Sequence, residues 1–435
     1  MNILILSSAI SSKNSSVVIE DLKTTLERID GVKVNILVRQ WDQDDPDVQT
    51  LDNTLKVKIQ WLIKKARTAL KKTRIIVDKL EKTNRDYNIR NYDQTKDFYS
   101  NRRIIKKIKE KPNAIFALSM QHAFNFKNLS ELSNYYKIPV FIRMADMAPM
   151  TGGCHYAWEC RGYQYKCGNC PAYKSNNEKD QSRKNWEFKK YYTEKAYLIP
   201  VTGSEQQYQQ LLSSSIFEDK PKYKIINSIN PEKYKPGDKL ESRKFLGLPP
   251  EKRILFFGAV SYNVQRKGFN ELTGALKILA NEIDTTLKEN LLLVGAGNNL
   301  DFMNRIDLSS RAIGYLNHDE LIHAYRAADV FLSPSIEDSG PVMIRQAAMT
   351  STPIVAFNIG NALDFVITGE TGYRAKLYDV NDFAKGIKII LNLGESEYNK
   401  MCANCRNNAL KIASPEVSQK RFENIFSKHI QNKKM

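Results

Sequence analysis

The sequence has 435 residues, of which 42% are hydrophobic and 26% are charged, as is ordinary for a folded, water-soluble protein. This length is sufficient for two domains with complete hydrophobic cores. The formal net charge of +18 predicts attraction to acidic partners such as anionic lipid, nucleic acid or phosphorylated ligands. No apolar run approaches the ~18 residues of a membrane span, and no signal peptide is recognisable. We therefore predict a cytoplasmic protein with reduced thiols.

The first half of the chain has the pattern of a doubly wound α/β domain. Buried strands are predicted over residues 2–6, 32–38, 114–119 and 139–144, with an amphipathic helix over residues 17–29. A strand over residues 191–201 and a helix over residues 204–215 are predicted to close this domain, and residues 224–231 are predicted as a further strand. Apolar strands alternating with helices indicate a parallel sheet that is covered on both faces.

A strongly basic stretch occupies residues 56–82, where apolar residues fall near helical spacing. Its cations include Lys58, Lys64, Lys65, Arg67, Lys71, Lys72, Arg74 and Lys79. Such a helix can lie on an anionic inner-membrane surface, or it can pack on its own domain and expose its charges to water. Both interpretations stay open. Nucleic acid is not expected as a partner, because no recognised nucleic-acid module accompanies the charge.

Four cysteines lie close together in a glycine-rich segment: Cys154, Cys160, Cys167 and Cys170. The two-residue spacing between the last two is typical of a zinc knuckle. Four thiolates would complete a tetrahedral zinc site of the structural kind, and His155 is a possible substitute for one of them. Disulfides and free thiols are the alternatives. A disulfide framework would require an oxidising compartment, for which the sequence carries no signal.

A linker with Pro236 and Gly237 precedes the second half, which again begins with a strand, over residues 253–258. That strand ends at Gly258, and the loop after it contains Arg266 and Lys267. A guanidinium group makes bidentate contacts with phosphate, and an ammonium group adds a point charge. Position after a strand and before a helix therefore makes this pair a candidate phosphate site.

The segment over residues 332–342, LSPSIEDSGPV, carries the strongest functional signal. The apolar run that ends at Leu332 predicts a buried strand, and Glu337 and Asp338 follow it in a loop. Ser339, Gly340 and Pro341 then open a helix, with proline at the first helical position. Ligands of a parallel sheet bind at the carboxyl ends of its strands. The loop thus offers carboxylates for sugar hydroxyls beside a helix N-terminus, which favours phosphate.

The extended segment PSIEDSGPVMIRQAAMTSTPIVA resembles the donor-site motif of GT-B glycosyltransferases, in particular glycosyltransferase family 4. In that family the order is P-S-x-x-E-G-F-G, four residues, then E-A-M-A-x-G-x-P-V-V-A. When the segments are aligned on Pro334 and Pro353, the first family glutamate falls on Asp338 and the second on Gln346. Both positions depart from the family. The R-K-G loop of the family matches Arg266, Lys267 and Gly268.

A second resemblance covers FIRMADMAPMTGGCHY, residues 141–156. It is similar to W-T-x-H-D-M-W-P-M-T-G-G-C-H-Y, which precedes a cysteine run in a family 4 subfamily from bacterial exopolysaccharide and capsule clusters. Asp146 matches the aspartate of that pattern, whereas Ala145 replaces its histidine. Any role of that histidine is therefore absent here.

The resemblance implies an α/β GT-B fold, with two Rossmann-like doubly wound domains and a cleft between them. We expect an acceptor-side domain over residues 1–235, a nucleotide-sugar-binding domain over residues 236–410, and a C-terminal helix within residues 411–435 that packs back on the first domain. The implied reaction is a retaining hexosyl transfer from a UDP- or GDP-sugar to a lipid-linked or oligosaccharide acceptor. Cell-surface polysaccharide biosynthesis is the implied setting, and no catalytic metal is expected.

The resemblance also implies roles for individual residues. Arg266, Lys267 and the helix start would hold the donor diphosphate, while Glu337 or Asp338 would hold sugar hydroxyls. The remaining expected donor contacts are His122 with the sugar from the first domain, Gly314 and Tyr315 with the base, Gln346 with the ribose, and Gly258 at its strand end. Because Asp338 and Gln346 replace the usual glutamates, a catalytically inactive partner subunit is an alternative. A zinc-containing nucleic-acid-binding protein is a further, less favoured one.

Overall fold

Parallel strands alternate with helices through most of this chain. The computed structural model describes residues 1–9, 12–41, 45–52, 83–261 and 264–430, so the basic stretch over residues 56–82 lies outside the described residues. Two units are present. Unit 1 comprises Met1–Gly203, Gln207–Asn227 and Ser418–Met435, and unit 2 comprises Ser204–Gln206 and Ser228–Val417.

Unit 1 is built on a seven-stranded parallel sheet in the order β3-β2-β1-β4-β5-β6-β7. The strands are β1 (Asn2–Ser7), β2 (Lys33–Val38), β3 (Val48–Thr50), β4 (Ala114–Ala117), β5 (Val140–Arg143), β6 (Leu198–Thr202) and β7 (Tyr223–Lys224). The helices between them are α1 (Ser12–Glu27), α2 (Asn101–Lys107), α3 (Phe126–Tyr136), α4 (Gln181–Glu194) and α5 (Glu205–Leu212). Strands β4, β5 and β6 are buried along their full length, because helices cover both faces of the sheet.

The chain connections of unit 1 run in opposite directions from β1 and from β4, which are neighbouring parallel strands. From β1 the chain moves to β2 and β3 on one side, and from β4 it moves to β5, β6 and β7 on the other. Leu4 of β1 pairs with Asn35 on one side and with Ile115 of β4 on the other. Connections diverge at such a switch point and leave a crevice at the carboxyl ends of the strands. The loops after β1 and β4 therefore open into a position suited to ligands.

Unit 2 repeats this design with a six-stranded parallel sheet in the order β10-β9-β8-β11-β12-β13. Its strands are β8 (Arg253–Ser261), β9 (Leu291–Asn298), β10 (Ser310–Ala312), β11 (Val330–Ser333), β12 (Ile354–Phe357) and β13 (Gly372–Ala375). Its helices are α6 (Lys239–Phe245), α7 (Phe269–Glu282), α8 (Thr285–Asn290), α9 (His318–Ala327), α10 (Val342–Met349), α11 (Ala362–Phe365), α12 (Val380–Leu391) and α13 (Glu395–Ala413). The switch point lies between β8 and β11, which brings the loops that follow these two strands together.

The predicted α/β class with two Rossmann-like domains is confirmed, whereas two local predictions are wrong. Helix α4 runs to Glu194, inside the range predicted as a strand, and β6 begins only at Leu198. Asp180 is the N-cap of this helix and accepts hydrogen bonds from the backbone N–H groups of Ser182 and Arg183. The aromatic side chains of the helix pack on the core. Residues 224–231 were predicted as a strand, but ladder pairing covers Tyr223–Lys224 alone.

The last helix, α14 (Pro415–His429), contributes aromatic side chains to the core of unit 1. The rings of Phe422 and Phe426 lie 5.6 Å and 6.0 Å from that of Phe116, and Phe426 also lies 5.9 Å from Phe141. The imidazole of His429 bonds to the hydroxyl of Tyr223 at 2.6 Å. Among the described residues, we find no helix that is both long and apolar enough to span a bilayer.

Truncating this aromatic anchor tests how strongly α14 stabilises unit 1. Phe426→Ala leaves a cavity among Phe116, Phe141 and Phe422, so we expect the free energy of unfolding to fall by about 3–5 kcal/mol. Urea unfolding followed by circular dichroism measures this loss. Phe245→Ala is the matched control, since Phe245 is 60% exposed, and it should cost less than about 1 kcal/mol. Equal losses in the two variants would contradict the anchoring role.

Candidate active site

The two loops at the switch point of unit 2 are joined through their backbones. A single helical turn over Gln265–Lys267 presents both cations and ends at Gly268, whose φ of 67° is left-handed. A Cβ atom on Gly268 would overlap the carbonyl oxygen of Pro334. The carbonyl of Arg266 accepts hydrogen bonds from the N–H groups of Ile336 at 2.9 Å and Glu337 at 3.2 Å. Glycine at position 268 therefore allows the cationic turn to lie directly against the acidic loop.

Asp338 is the electrostatic centre of this site. Its Oδ2 lies 2.8 Å from Nη1 of Arg266 and 2.6 Å from Nζ of Lys267, and its Oδ1 accepts the N–H of Gly340 at 3.1 Å. Burial would raise the pKa of Asp338, but Lys267 and Arg266 outweigh it and hold the pKa below its ordinary value. The carboxylate is thus ionised at neutral pH, and the three side chains together carry one net positive charge.

Two buried polar atoms that have no hydrogen-bond partner among the described residues lie beside the start of α10. Helix α10 begins at Val342 with Pro341 as its N-cap, one residue later than predicted. The Oγ of Ser339 and the Oδ1 of Asn361 are buried and make no hydrogen bond within the described part of the chain. A Cβ on Gly340 would come within 2.9 Å of that Asn361 oxygen, so the backbone passes close to it. Buried polar atoms cost free energy unless a partner satisfies them, which makes this helix start a candidate ligand contact.

The other predicted donor contacts of unit 2 each have their own local surroundings. Glu337 is buried beside Asp338, and its N–H donates to Arg266 as described above. Gly258 lies within β8, not at its end, and the methyl group of Met343 in α10 packs 2.8 Å from where a Cβ would stand. The carbonyl of Gly314 accepts the N–H of Gly297 at 2.7 Å, and the adjacent Tyr315 side chain is 67% exposed.

Gln346, whose contact with the ribose stays a prediction, has protein partners for both of its polar atoms. Its Oε1 accepts the hydroxyl of Tyr325 at 2.8 Å, and its Nε2 donates to the hydroxyl of Tyr234 at 2.8 Å. All three side chains are buried. The structure therefore gives both polar atoms of Gln346 protein partners, where the sequence predicted a contact with the nucleotide ribose. These partners come from α9 and from a loop 112 residues away, which no local pattern reveals.

In unit 1, His122 follows β4 as predicted, but it is exposed and its ring packs edge-on against Phe98 at 5.5 Å. The preceding residue, Gln121, instead lines a cavity of about 300 Å³ at the carboxyl ends of β4 and β5. Sequence inspection missed Gln121, although its place beside a histidine at a strand end was a usable signal. The cavity also has charged and polar walls formed by Arg90, Gln94, Asp146 and Lys189.

His155 contacts two residues that line this cavity, Gln121 and Asp146. Its Nδ1 is 2.6 Å from Oδ2 of Asp146, and its Nε2 is 3.1 Å from Nε2 of Gln121. Burial would raise the pKa of Asp146, but His155 and then the N–H of Ala148 reverse the effect, so the pKa is lowered. The structure thus shows His155 in contact with Asp146 and Gln121, and its substitution for a cysteine stays a prediction.

The four cysteines line one small cavity, and all are free thiols. Burial raises the pKa of Cys167 to about 12 and also raises those of Cys154 and Cys170. Cys167 accepts a hydrogen bond from the N–H of Gly152 at 3.2 Å. Nevertheless, the described residues contain no group of three or more His, Cys, Asp or Glu side chains arranged to hold a metal ion. The four cysteines thus lie close together but do not have the arrangement of a metal site, and zinc stays a prediction.

Comparison with known families gives a match in unit 2. Residues 238–412 match the family described as "Glycosyl transferases group 1". Over 182 residues the chain is 25% identical to D-inositol 3-phosphate glycosyltransferase 2 of Catenulispora acidiphila, covering 38% of this chain and 42% of that protein. Over 145 residues it is 28% identical to glycogen synthase of Mycobacterium tuberculosis, covering 32% of this chain and 34% of that protein. The alignments thus span less than half of each curated relative.

Solved structures resemble the chain over almost its whole length. Sucrose-phosphate synthase from Thermosynechococcus elongatus matches with a TM-score of 0.62 at 16% identity, covering 98% of both chains. HepE of Anabaena in complex with UDP-glucose matches with a TM-score of 0.62 at 14% identity, covering 98% of this chain and 100% of that one. These likenesses show the fold, and with the two parallel sheets they confirm the predicted GT-B class.

Substituting Gly268 tests whether the two loops of unit 2 depend on their close approach. Gly268→Ala adds a methyl group at the carbonyl of Pro334, in addition to the strain of a positive φ. Gly31→Ala is the matched control, because Gly31 has a φ of 68° and open space around it. We expect the control to lose about 1–2 kcal/mol of unfolding free energy and Gly268→Ala to lose clearly more. If thermal unfolding shows equal losses of stability in the two variants, the close approach of Gly268 to Pro334 does not contribute to stability.

Metal analysis tests the prediction at the four cysteines. Purified protein should contain about one zinc ion per chain, because four thiolates complete a tetrahedral shell. Zinc would have to displace protons from thiols whose pKa values are raised by burial, so chelators should remove it more readily at lower pH. The control is Cys402→Ser with Cys405→Ser in α13, which should keep the zinc. Protein purified without chelators and containing no zinc would contradict the prediction.

Proposed function

We propose that this protein is a retaining glycosyltransferase that takes a UDP- or GDP-sugar as donor and a lipid-linked or oligosaccharide acceptor. The observation that carries the proposal is the cluster of Arg266, Lys267, Asp338 and the start of α10, at the carboxyl edge of a parallel sheet. This cluster lies inside the range that matches group 1 glycosyltransferases. A solved relative in complex with UDP-glucose supports a nucleotide sugar as the ligand class.

The donor diphosphate would bind by exchanging with the Asp338 carboxylate. Without a ligand, that carboxylate accepts hydrogen bonds from Arg266, Lys267 and the Gly340 N–H. These are the same groups that a diphosphate needs, since guanidinium, ammonium and helix-terminal N–H groups are standard phosphate ligands. A diphosphate carries more charge than a carboxylate, so the cations favour the exchange. The side-chain oxygens of Ser339 and Asn361 would then accept hydrogen bonds from hydroxyl groups of the nucleotide sugar.

Cleavage of the sugar–phosphate bond puts negative charge on the departing diphosphate. Arg266 and Lys267 would stabilise that charge in place of a metal ion, and their partial burial strengthens the interaction. Glu337 or Asp338 would hold sugar hydroxyls, and His122 of unit 1 would contact the transferred sugar. In the retaining reaction that the family resemblance implies, the leaving phosphate takes the acceptor proton and no protein base is needed.

The proposed setting is cell-surface polysaccharide biosynthesis at the inner face of a membrane. It is supported by the likeness of residues 141–156 to an exopolysaccharide and capsule subfamily, and by the net charge of +18. The basic stretch over residues 56–82 would supply the attraction to anionic lipid.

Gln346 favours a second candidate, an inactive partner subunit with the same fold. Its amide is engaged by Tyr325 and Tyr234. A site that gives up ribose recognition can lose donor binding altogether. Nucleotide binding separates the two candidates, because the active enzyme needs it and the scaffold does not.

Calorimetry with UDP and GDP, followed by a panel of UDP- and GDP-sugars scored for donor hydrolysis, tests the proposal. We expect at least one nucleotide to bind. In Arg266→Ala with Lys267→Ala, affinity should fall by about 100-fold or more, because two charge-assisted phosphate contacts are lost. No affinity of the wild type for either nucleotide would favour the inactive scaffold.

The matched control removes two cations of the same unit that have other carboxylate partners. Lys288 pairs with Asp307, and Lys388 pairs with Glu282. Lys288→Ala with Lys388→Ala should therefore keep nucleotide affinity within about twofold.

A separate variant, Glu337→Ala with Asp338→Ala, should lower turnover by about 100-fold or more. Activity near that of the wild type would remove both carboxylates from the mechanism.

A further inference from the structure

The carboxylate of Asp338 makes the contacts in unit 2 that an anionic ligand needs. One of its oxygens, Oδ2, accepts hydrogen bonds from both Arg266 and Lys267, at 2.8 Å and 2.6 Å. The other, Oδ1, accepts the N–H of Gly340 at 3.1 Å. A carboxylate presents two anionic oxygens side by side, as one edge of a phosphate group does, and the same donors recognise both groups. The side chain of Asp338 therefore resembles a bound phosphate.

The loop that carries Asp338 has backbone anchors in addition to this carboxylate. The carbonyl of Arg266 accepts the N–H groups of Ile336 at 2.9 Å and Glu337 at 3.2 Å. These bonds join the two loops through their backbones, and the side chain of Asp338 takes no part in them. The carboxylate can therefore leave the cations by rotation of its side chain, while the two loops stay joined.

Both cations remain in contact with water while they are paired. The side chains of Arg266 and Lys267 are 23% and 27% exposed, whereas that of Asp338 is 10% exposed. Dissolved anions therefore have access to the two cations. An ion pair that water reaches contributes less than one whose charges are fully desolvated. A diphosphate can thus displace the carboxylate, but it has to compete with it.

We propose that Asp338 is an internal competitor of the donor diphosphate and lowers the affinity of the site for nucleotides. The inference rests on the proposed transferase function and adds a form of regulation to its donor site. A diphosphate that replaces the carboxylate breaks the contacts of Asp338 with both cations. The two anions then repel each other at close range. Both effects make binding weaker than two unpaired cations alone would allow.

Weaker nucleotide binding has a use when the product leaves. Once the acceptor proton is released to water, the departing nucleoside diphosphate carries one more negative charge than the nucleotide sugar. Two unpaired cations would hold this product strongly, and slow product release limits the turnover of many enzymes. Asp338 supplies a partner that takes the place of the product at both cations. The carboxylate thus favours release.

Calorimetry of the full chain with inorganic pyrophosphate, UDP and GDP tests the proposal. Asp338→Asn keeps the size and shape of the side chain but removes its charge. We expect pyrophosphate affinity to rise by about 10-fold or more, because the carboxylate no longer occupies the cations in about nine-tenths of the molecules. The affinity for a bound nucleotide should rise in parallel. A carboxylate with a purely structural role would give no such rise when it is neutralised.

The matched control neutralises a different carboxylate of unit 2. Asp307 pairs with Lys288 and precedes β10, so it lies at the amino edge of the parallel sheet, opposite the edge of the two loops. Asp307→Asn should therefore keep pyrophosphate affinity within about twofold. Asp338→Ser is a second neutral variant with a smaller side chain, and thermal unfolding confirms that each variant is folded. The Asn and Ser variants should bind pyrophosphate more tightly than the wild type.

Pyrophosphate keeps this inference distinct from the proposed function, because it contains neither base nor sugar. Absence of UDP and GDP binding in the wild type would overturn the transferase proposal, while a rise in pyrophosphate affinity would still support the internal competitor. Unchanged or lower pyrophosphate affinity in Asp338→Asn and Asp338→Ser would overturn the competitor, even if nucleotides bind the wild type. Absence of pyrophosphate binding in all the proteins would overturn it as well.

Discussion

The need to pair one buried carboxylate governs the structure around the candidate donor site. Removing a carboxylate from water costs several kcal/mol unless opposite charges and hydrogen bonds replace the lost solvent. Asp338 receives this compensation from Arg266, 72 residues away in sequence, from Lys267 and from the Gly340 N–H. The pairing requires the two loops to touch, and Gly268 allows that contact because it has no Cβ to meet Pro334. The strand order brings these two loops to the same edge of the sheet, because β8 and β11 are neighbours.

Both units present an ionised carboxylate at the carboxyl edge of a parallel sheet, but they hold it differently. Cations bind Asp338 directly, so an anionic ligand can compete for the same partners. Asp146 contacts the imidazole of His155 and accepts the N–H of Ala148. The two carboxylates therefore differ in their partners, which are two cations in unit 2 and an imidazole with a backbone N–H in unit 1.

The loop that carries Asp146 and the first cysteines is tied to the rest of unit 1 by a buried lysine. Nζ of Lys189, from α4, donates to the carbonyls of Ala148 at 2.7 Å and Thr151 at 2.8 Å. Burial lowers the pKa of Lys189 to about 8, so the amine gives up its charge far more readily than an exposed lysine. Because the unfolded chain binds this proton more tightly, Lys189 makes the folded state more stable as pH rises from about 8 toward 10.5. Helix α4, which carries Lys189, also extends into residues 191–194, where the sequence predicted a strand.

Apolar runs determined strands β1, β2, β4, β5, β8 and β11 and the α/β class, and loop composition indicated the candidate residues Arg266, Lys267 and Asp338. Burial on two faces and phosphate chemistry leave local marks in a sequence. Hydrogen-bond partners far apart in the chain leave no such mark. Only the tertiary structure decided that Gln346 contacts Tyr325 and Tyr234, and that His155 contacts Asp146. The physical reason is that periodicity records which side of an element is buried, whereas the partner found there depends on how distant elements pack.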